Sequence, residues 1–192
     1  DRRDASTMIV AMQPLHDAFC DTYTQAARHH GVTIVGGSFP IQDTNGQMTN
    51  RVHVFGPQGH QGWQDKMMLT RFERERTTMV AGDSLKLFTA PFGRFAIAVC
   101  YDVQFPLHVH RYAAAGAQLL VVPACTGKLA GYHRVKYGCQ ARALENQMPV
   151  VQTHTVGDAL WNPIADTNAG AAGCFVPPDN GLPEDGTLAT GT

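Results

Sequence analysis

The stretch "FAIAVCYDVQFP", residues 95–106, ends an apolar run on Cys100 and continues at once with Tyr101 and Asp102. A cysteine is ordinarily a small buried hydrophobe, and Cys100 taken alone fits that role. Its surroundings point to another. "AIAV" makes a strand, "YD" and Pro106 make a turn, and a helix pattern follows. Strand, turn and helix in this order push a side chain out at the strand's end, where a nucleophile is presented. Backbone N–H groups at such a turn can serve as an oxyanion hole. A thiol nucleophile also needs a base to take its proton and a positive group to steady the charge it creates. Lys66 stands among Met67, Met68 and Leu69 in "WQDKMML". Most lysines are solvated surface groups, but an ammonium held among methionines needs a carboxylate partner. Glu73 and Glu75 lie just downstream, in a segment that also reads as an exposed charged arm. Arg142 and Glu145, one helical turn apart, read as an intrahelical ion pair worth ~0.2–0.5 kcal/mol.

The elements around these residues follow from periodicity. Met8, Met12, Leu15, Phe19, Tyr23 and Ala26 recur at steps of three and four, the pattern of one apolar helix face, which Gly31 ends. "VTIVGGSF" predicts a buried strand closed by Pro40, and "NRVHVF" a half-exposed one turned back by "GPQGHQG". "WQDKMML" is expected as the partner strand, with Lys66 in its middle. A polar arm, "TRFERERTTMVAGDS", leads to "LKLFTAPFG" and then to the strand carrying Cys100. "PLHVHRYAAAGA" predicts a helix, "QLLVVPACT" an apolar strand of the kind inside an α/β sheet, "GYHRVKYGCQARALENQM" a second helix and "PVVQTHTVG" a further strand. Beyond Gly157 the chain turns Gly-, Pro- and Asp-rich. The class is α/β or α+β layers.

Composition narrows the function. The 192 residues are 44% hydrophobic and 16% charged, enough for a real core. Fifteen basic against sixteen acidic residues give a formal charge of −1, which speaks against nucleic acid or an anionic membrane as partner. No apolar run approaches the ~20 residues that span a bilayer. The cysteines are Cys20, Cys100, Cys125, Cys139 and Cys174; with no CxxC pair they indicate neither a disulfide framework nor a zinc knuckle. A reducing, cytoplasmic setting is the expectation. His108 and His110, two apart on an expected helix, point to nearly opposite sides and cannot share an ion.

"WQDKMMLTRFERE", "GRFAIAVCYDVQFP" and "QARALENQ", together with "GVTIVGGSFP" and "AGAQLLVVPACT", resemble the carbon–nitrogen hydrolase (nitrilase) superfamily of amidases, carbamoylases and ω-amidases. "TGKLAGYHRV" is similar to its bacterial branch. The resemblance implies an α-β-β-α sandwich, one domain over residues 1–192, and assembly into a homodimer or larger homo-oligomer. It implies a glutamate–lysine–cysteine triad without cofactor or metal. Cys100 would attack an amide carbon to give a thioester, releasing ammonia or an amine, and water would hydrolyse the thioester. Lys66 and the Tyr101 N–H would hold the oxyanion. Glu75, by its distance to "AGD" and Cys100, is the expected supporting acid, with Glu73 next. Asp102 would brace the turn, and Cys125, Thr126 and Tyr132, in the loop "CTGKLAGYHR", would line or support the pocket for a small amide substrate.

One departure stands out. The family's general base is a glutamate in a "PE" motif ahead of the first helix seen here, and no such motif precedes Met8; the single "PE", Pro183-Glu184, comes after Cys100. The expectation is a chain lacking the first and last strands of the fold, inactive alone. The alternatives are a non-catalytic relative kept for binding or assembly, a cysteine–histidine hydrolase with His133 or His154 as base, and, more distantly, a thiol redox domain.

Overall fold

The computed structural model describes residues 5–162 and 164–191. Contacts divide the chain into two compact units, one ending at Ala90 and the other beginning at Pro91. Lys66 belongs to the first and Cys100 to the second.

The first unit opens with helices α1 (Ala5–Met12) and α2 (His16–His30), separated by a 3-10 turn at Gln13–Leu15. The apolar period runs unbroken from Met8 to Ala26, yet the helix does not. Pro14 has no N–H to return to the preceding turn, and it opens the 3-10 turn instead. Gly31 caps α2 in the left-handed conformation, at φ 63°. Strands β1 (Ile34–Gln42), β2 (Met48–Gly56) and β3 (Gly59–Asp65) form an antiparallel sheet in that order. Pro40 lies inside β1 rather than closing it, paired with Asn50. This is tolerated because β1 is an edge strand, with one side that needs no N–H. Phe19 and Tyr23 of α2 pack on the sheet, Phe19 with its ring centroid 5.2 Å from Phe39 and Tyr23 stacked 5.5 Å from Phe55. Val52, Val54 and Phe55 are wholly buried beneath them. A short helix α3 (Arg71–Arg76) and strand β4 (Leu87–Ala90) complete the unit.

The second unit begins with β5 (Gly93–Ile97), a 3-10 turn at Cys100–Gln104 and α4 (Pro106–Ala114). It continues through β6 (Leu119–Ala124), α5 (Leu129–Asn146) and β7 (Val150–His154). Four short strands follow: β8 (Gly157–Asp158), β9 (Thr167–Asn168), β10 (Gly173–Phe175) and β11 (Thr187–Thr190). Within the unit the sheet runs β11-β10-β7-β6-β5. β5, β6 and β7 are parallel, joined by crossovers through α4 and α5, while β10 and β11 are antiparallel additions. Phe95, Leu120, Val150 and Phe175 carry its core. The fold is mixed α/β, as expected. Ligand sites of such sheets lie beyond the carboxyl ends of parallel strands. Cys100 follows β5, Cys125 follows β6, and both stand at those ends. Among the described residues no helix is long and apolar enough to cross a membrane.

Candidate active site

β3 ends at Asp65, so Lys66 sits one residue past the strand and not in its middle. Its backbone is pinned on both sides: the Lys66 N–H donates to the Asn50 carbonyl at 2.9 Å, and the Gly82 N–H donates to the Lys66 carbonyl at 2.8 Å. The residue is buried, 4% exposed. Its Nζ donates to both carboxylate oxygens of Glu73, each at 2.7 Å. Glu73 is gripped further. Asn50 Nδ2 donates to Oε1 at 3.2 Å, and the Thr70 N–H and hydroxyl donate to Oε2 at 2.7 and 2.8 Å. Thr70 Oγ1 accepts from the Glu73 N–H in return, at 3.2 Å. This is a capping box, and it starts α3. Burial alone would raise the Glu73 pKa. The Lys66 charge and its hydrogen bond, with the two Thr70 donors, outweigh burial and hold the carboxyl below its ordinary value. Glu73 is thereby held as the carboxylate.

The expectation that Glu75 holds the ammonium is corrected. Glu75 accepts from Arg71 Nε at 2.7 Å in an exposed pair one helical turn apart. Residues 73 and 75 lie about 200° apart around a helix, so they cannot face the same partner. The signal was present as Thr70–Glu73, the T-x-x-E pattern of a capping box.

In the second unit Cys100 has φ 52°. A left-handed backbone is rare for a residue with a Cβ and is held only where the surroundings over-determine it. Three contacts do so. Asp102, 2% exposed, accepts from the Val99 N–H through Oδ2 at 3.0 Å, and its own N–H donates to the Val99 carbonyl at 3.1 Å. Arg142, buried on α5, donates from Nη1 to the Val103 carbonyl at 3.1 Å and from Nη2 to Glu145 Oε1 at 2.8 Å. The Arg142–Glu145 pair is thus intrahelical, as expected, but its reach to the elbow is additional. Gly138 makes that reach possible, since a Cβ there would lie 3.0 Å from Val103 Cγ1 and 3.3 Å from its carbonyl oxygen. Cys100 itself is half-buried, its Sγ 3.9 Å from the Cys125 carbonyl. Tyr101 packs edge-on against Phe105, centroids 5.0 Å apart.

The loop after β6 is tied to the segment around β9. Cys125 Sγ donates to Asn168 Oδ1 at 2.9 Å, and Thr126 Oγ1 to the Ala169 carbonyl at 2.7 Å. Tyr132 packs edge-on against His154 at 5.2 Å. Burial holds His154 below its ordinary pKa. Burial, above all, pushes the Cys139 thiol far up, and raises Cys174 as well. Cys174 lies in β10, within the Gly- and Pro-rich stretch beyond Gly157.

The geometry defines a buried, carboxylate-held ammonium and a thiol on a braced turn. Comparison with known proteins names the class. The carbon-nitrogen hydrolase profile matches residues 6–184, so the chain belongs to that family. A probable hydrolase of Bacillus subtilis is 32% identical over 188 residues, 98% of this chain and 36% of that protein. An omega-amidase of Xenopus laevis is 33% identical over 144 residues, 70% of this chain and 51% of that protein. The chain therefore spans between about a third and about half of the length of these relatives. The crystal structure of a carbon-nitrogen hydrolase from Helicobacter pylori shares the fold, with a TM-score of 0.81 at 18% identity over 100% of this chain and 68% of that one.

Proposed function

We propose that the protein hydrolyses the C–N bond of a small amide or carbamoyl compound through a thioester on Cys100. The observation that carries this reading is the left-handed Cys100 backbone at the end of β5, braced by Asp102 and Arg142, in a carbon-nitrogen hydrolase chain. Such a turn sets the side chain at the carboxyl end of the strand, and the hydrogen bonds of Asp102 and Arg142 to the flanking residues support the strain. In the proposed reaction Sγ bonds to the substrate carbonyl carbon. The C–N bond then breaks, the departing nitrogen takes a proton, and ammonia or an amine leaves. Water attacks the thioester, regenerating the thiol and a carboxylic acid. The Lys66 ammonium and the Tyr101 N–H stabilise the oxyanion at both tetrahedral stages. A donor fixed in place costs no reorganisation at the moment of reaction, and Glu73 fixes Lys66 with two hydrogen bonds. The general base of this scheme is the family's glutamate, which none of these residues is assigned to supply. Relatives named omega-amidase favour amides over nitriles as the substrate class.

The test is ammonia release by the purified protein from a panel of amides, carbamoyl amino acids and nitriles, with peptide mass spectrometry of the acylated enzyme. Release from an amide or carbamoyl substrate, with the acyl group on Cys100 and none in Cys100→Ala, is expected. Turnover surviving Cys100→Ala, or an acyl group on another residue, would refute it.

A further inference from the structure

Away from the lysine and the elbow, the first unit gathers three histidines and a cysteine around the α2–sheet interface. His16 and Cys20 stand four apart on α2 and so share a face. His53 points up from β2 and is 4% exposed. His16 Nε2 lies 3.2 Å from His53 Nε2, and Cys20 Sγ lies 3.3 Å from His16 Nε2. One potential ligand atom from each of the three residues falls within 4.8 Å of the other two. Behind them, His53 Nδ1 lies 2.9 Å from Nε2 of His60 on β3.

We propose that His16, Cys20 and His53 form a site for one divalent late first-row metal ion, zinc by its ligand set, which ties α2 to the sheet. Tetrahedral zinc has bonds of about 2.0–2.1 Å to nitrogen and 2.3 Å to sulfur, which set N···N near 3.3 Å and N···S near 3.6 Å. The His16–His53 and His16–Cys20 spacings need shifts of only a few tenths of an ångström to fit, while Cys20 Sγ and the His53 ring nitrogen, within 4.8 Å of each other, close to about 3.6 Å when the half-exposed Cys20 side chain turns inward. A nitrogen–nitrogen–sulfur set suits zinc and its neighbours and does not suit calcium or magnesium. The order of the histidines also fits. A ring that ligates through Nε2 must carry its proton on Nδ1, and a metal-bound histidine usually donates that proton to a second group. His60 Nε2 stands where that acceptor is required. On binding, Cys20 releases its thiol proton to solvent and ligates as thiolate. Three protein ligands leave the fourth corner to water or an external donor. The HxxxC spacing on one helix was the signal in the sequence, but both partner histidines come from strands that only the fold brings near.

The experiment titrates the chelator-treated protein with cobalt(II) and follows its absorption, then measures zinc affinity by competition with a chromophoric chelator. One ion per chain is expected, with visible bands of tetrahedral cobalt and a thiolate-to-cobalt band in the near ultraviolet. Cys20→Ser should abolish the thiolate band, and His16→Gln should weaken zinc binding. His60→Leu, which leaves all three ligands in place, should weaken it by ~10–100-fold, the usual effect of losing an outer partner. Cys174→Ser should change nothing. Circular dichroism checks each variant; if a buried His53→Asn variant does not fold, Cys20→Ser and His16→Gln on the half-exposed helix face decide alone. Failure of the untouched protein to bind stoichiometric cobalt, or a thiolate band that persists in Cys20→Ser, overturns the proposal. Neither readout involves amide turnover.

Discussion

Replacing Glu73 with glutamine keeps the shape of the side chain and removes its charge. The consequence can be worked from its partners. Oε1 accepts from Lys66 Nζ and Asn50 Nδ2, and Oε2 accepts from Lys66 Nζ and from the Thr70 N–H and hydroxyl. Every partner donates to the carboxylate, and the Thr70 hydroxyl alone could also accept. Whichever way the amide is turned, its NH2 group faces donors, and Lys66 keeps a buried charge with no anion. The side chains of the pair are 5% and 11% exposed, so little solvent screening softens the loss. Removing one member of a buried pair costs about 3–5 kcal/mol. Glu75→Gln is the matched control. Its pair with Arg71 is solvent-exposed, 83% and 54%, and such helix pairs contribute about 0.3–0.5 kcal/mol. Urea unfolding should therefore show Glu73→Gln destabilised by ~3 kcal/mol or more and Glu75→Gln within ~0.5 kcal/mol of the parent. Adding Lys66→Met to Glu73→Gln should restore part of the loss, because no buried charge then remains. The acid limb carries the same information. Glu73 titrates below its ordinary value in the folded protein, so its contribution is full above the ordinary carboxylate pKa, about 4.3. It is lost as pH falls through the lowered folded value. Glu73→Gln should flatten that part of the stability profile. Equal effects of the two substitutions, or a larger one for Glu75→Gln, would refute the reasoning.

Lys66→Ala and Lys66→Arg should each lower amide turnover by at least ~100-fold, the scale of a lost oxyanion donor; arginine fails because its planar fork cannot occupy the position of a point charge. Near-normal turnover in Lys66→Ala would transfer the reaction to a cysteine–histidine pair. Iodoacetamide at neutral pH should label Cys100 first and the buried, high-pKa Cys139 last, read by peptide mass spectrometry; preferential labelling of the exposed Cys125 would count against Cys100. Gly138→Ala should cost ~1–3 kcal/mol by overpacking against Val103 and lower kcat through the elbow, measured by urea unfolding and ammonia release.

How far the sequence could be read depended on how local the determining contacts are. The Cys100 elbow was legible because strand, turn and helix signals lie within a dozen consecutive residues. The parallel strand "QLLVVPACT" was legible because burial on both faces makes it continuously apolar. The break at Pro14 was hidden, since apolar spacing survives a 3-10 turn that returns the chain to the same face. β10 and β11 were hidden because three- and four-residue strands in a Gly- and Pro-rich stretch carry too few side chains to show alternation. The choice between Glu73 and Glu75 turned on helical phase. An arm read as irregular has no phase, so distance along the sequence alone decided, and it favoured Glu75 over Glu73.

Helix α3 has six residues, well short of the ~12–15 at which an isolated helix becomes even marginally stable in water. It stands because Glu73 serves two masters, closing the Thr70 capping box through Oε2 and neutralising Lys66 through both oxygens. Each opening of this one and a half turns withdraws the countercharge, and the ammonium is then free to turn away. The alignment of the charge is thereby a folding equilibrium in miniature. The amides of Glu73 and Arg74, which donate to the Thr70 side chain and carbonyl, keep count of it: their hydrogen-exchange rates report the fraction of molecules in which Lys66 is held in place.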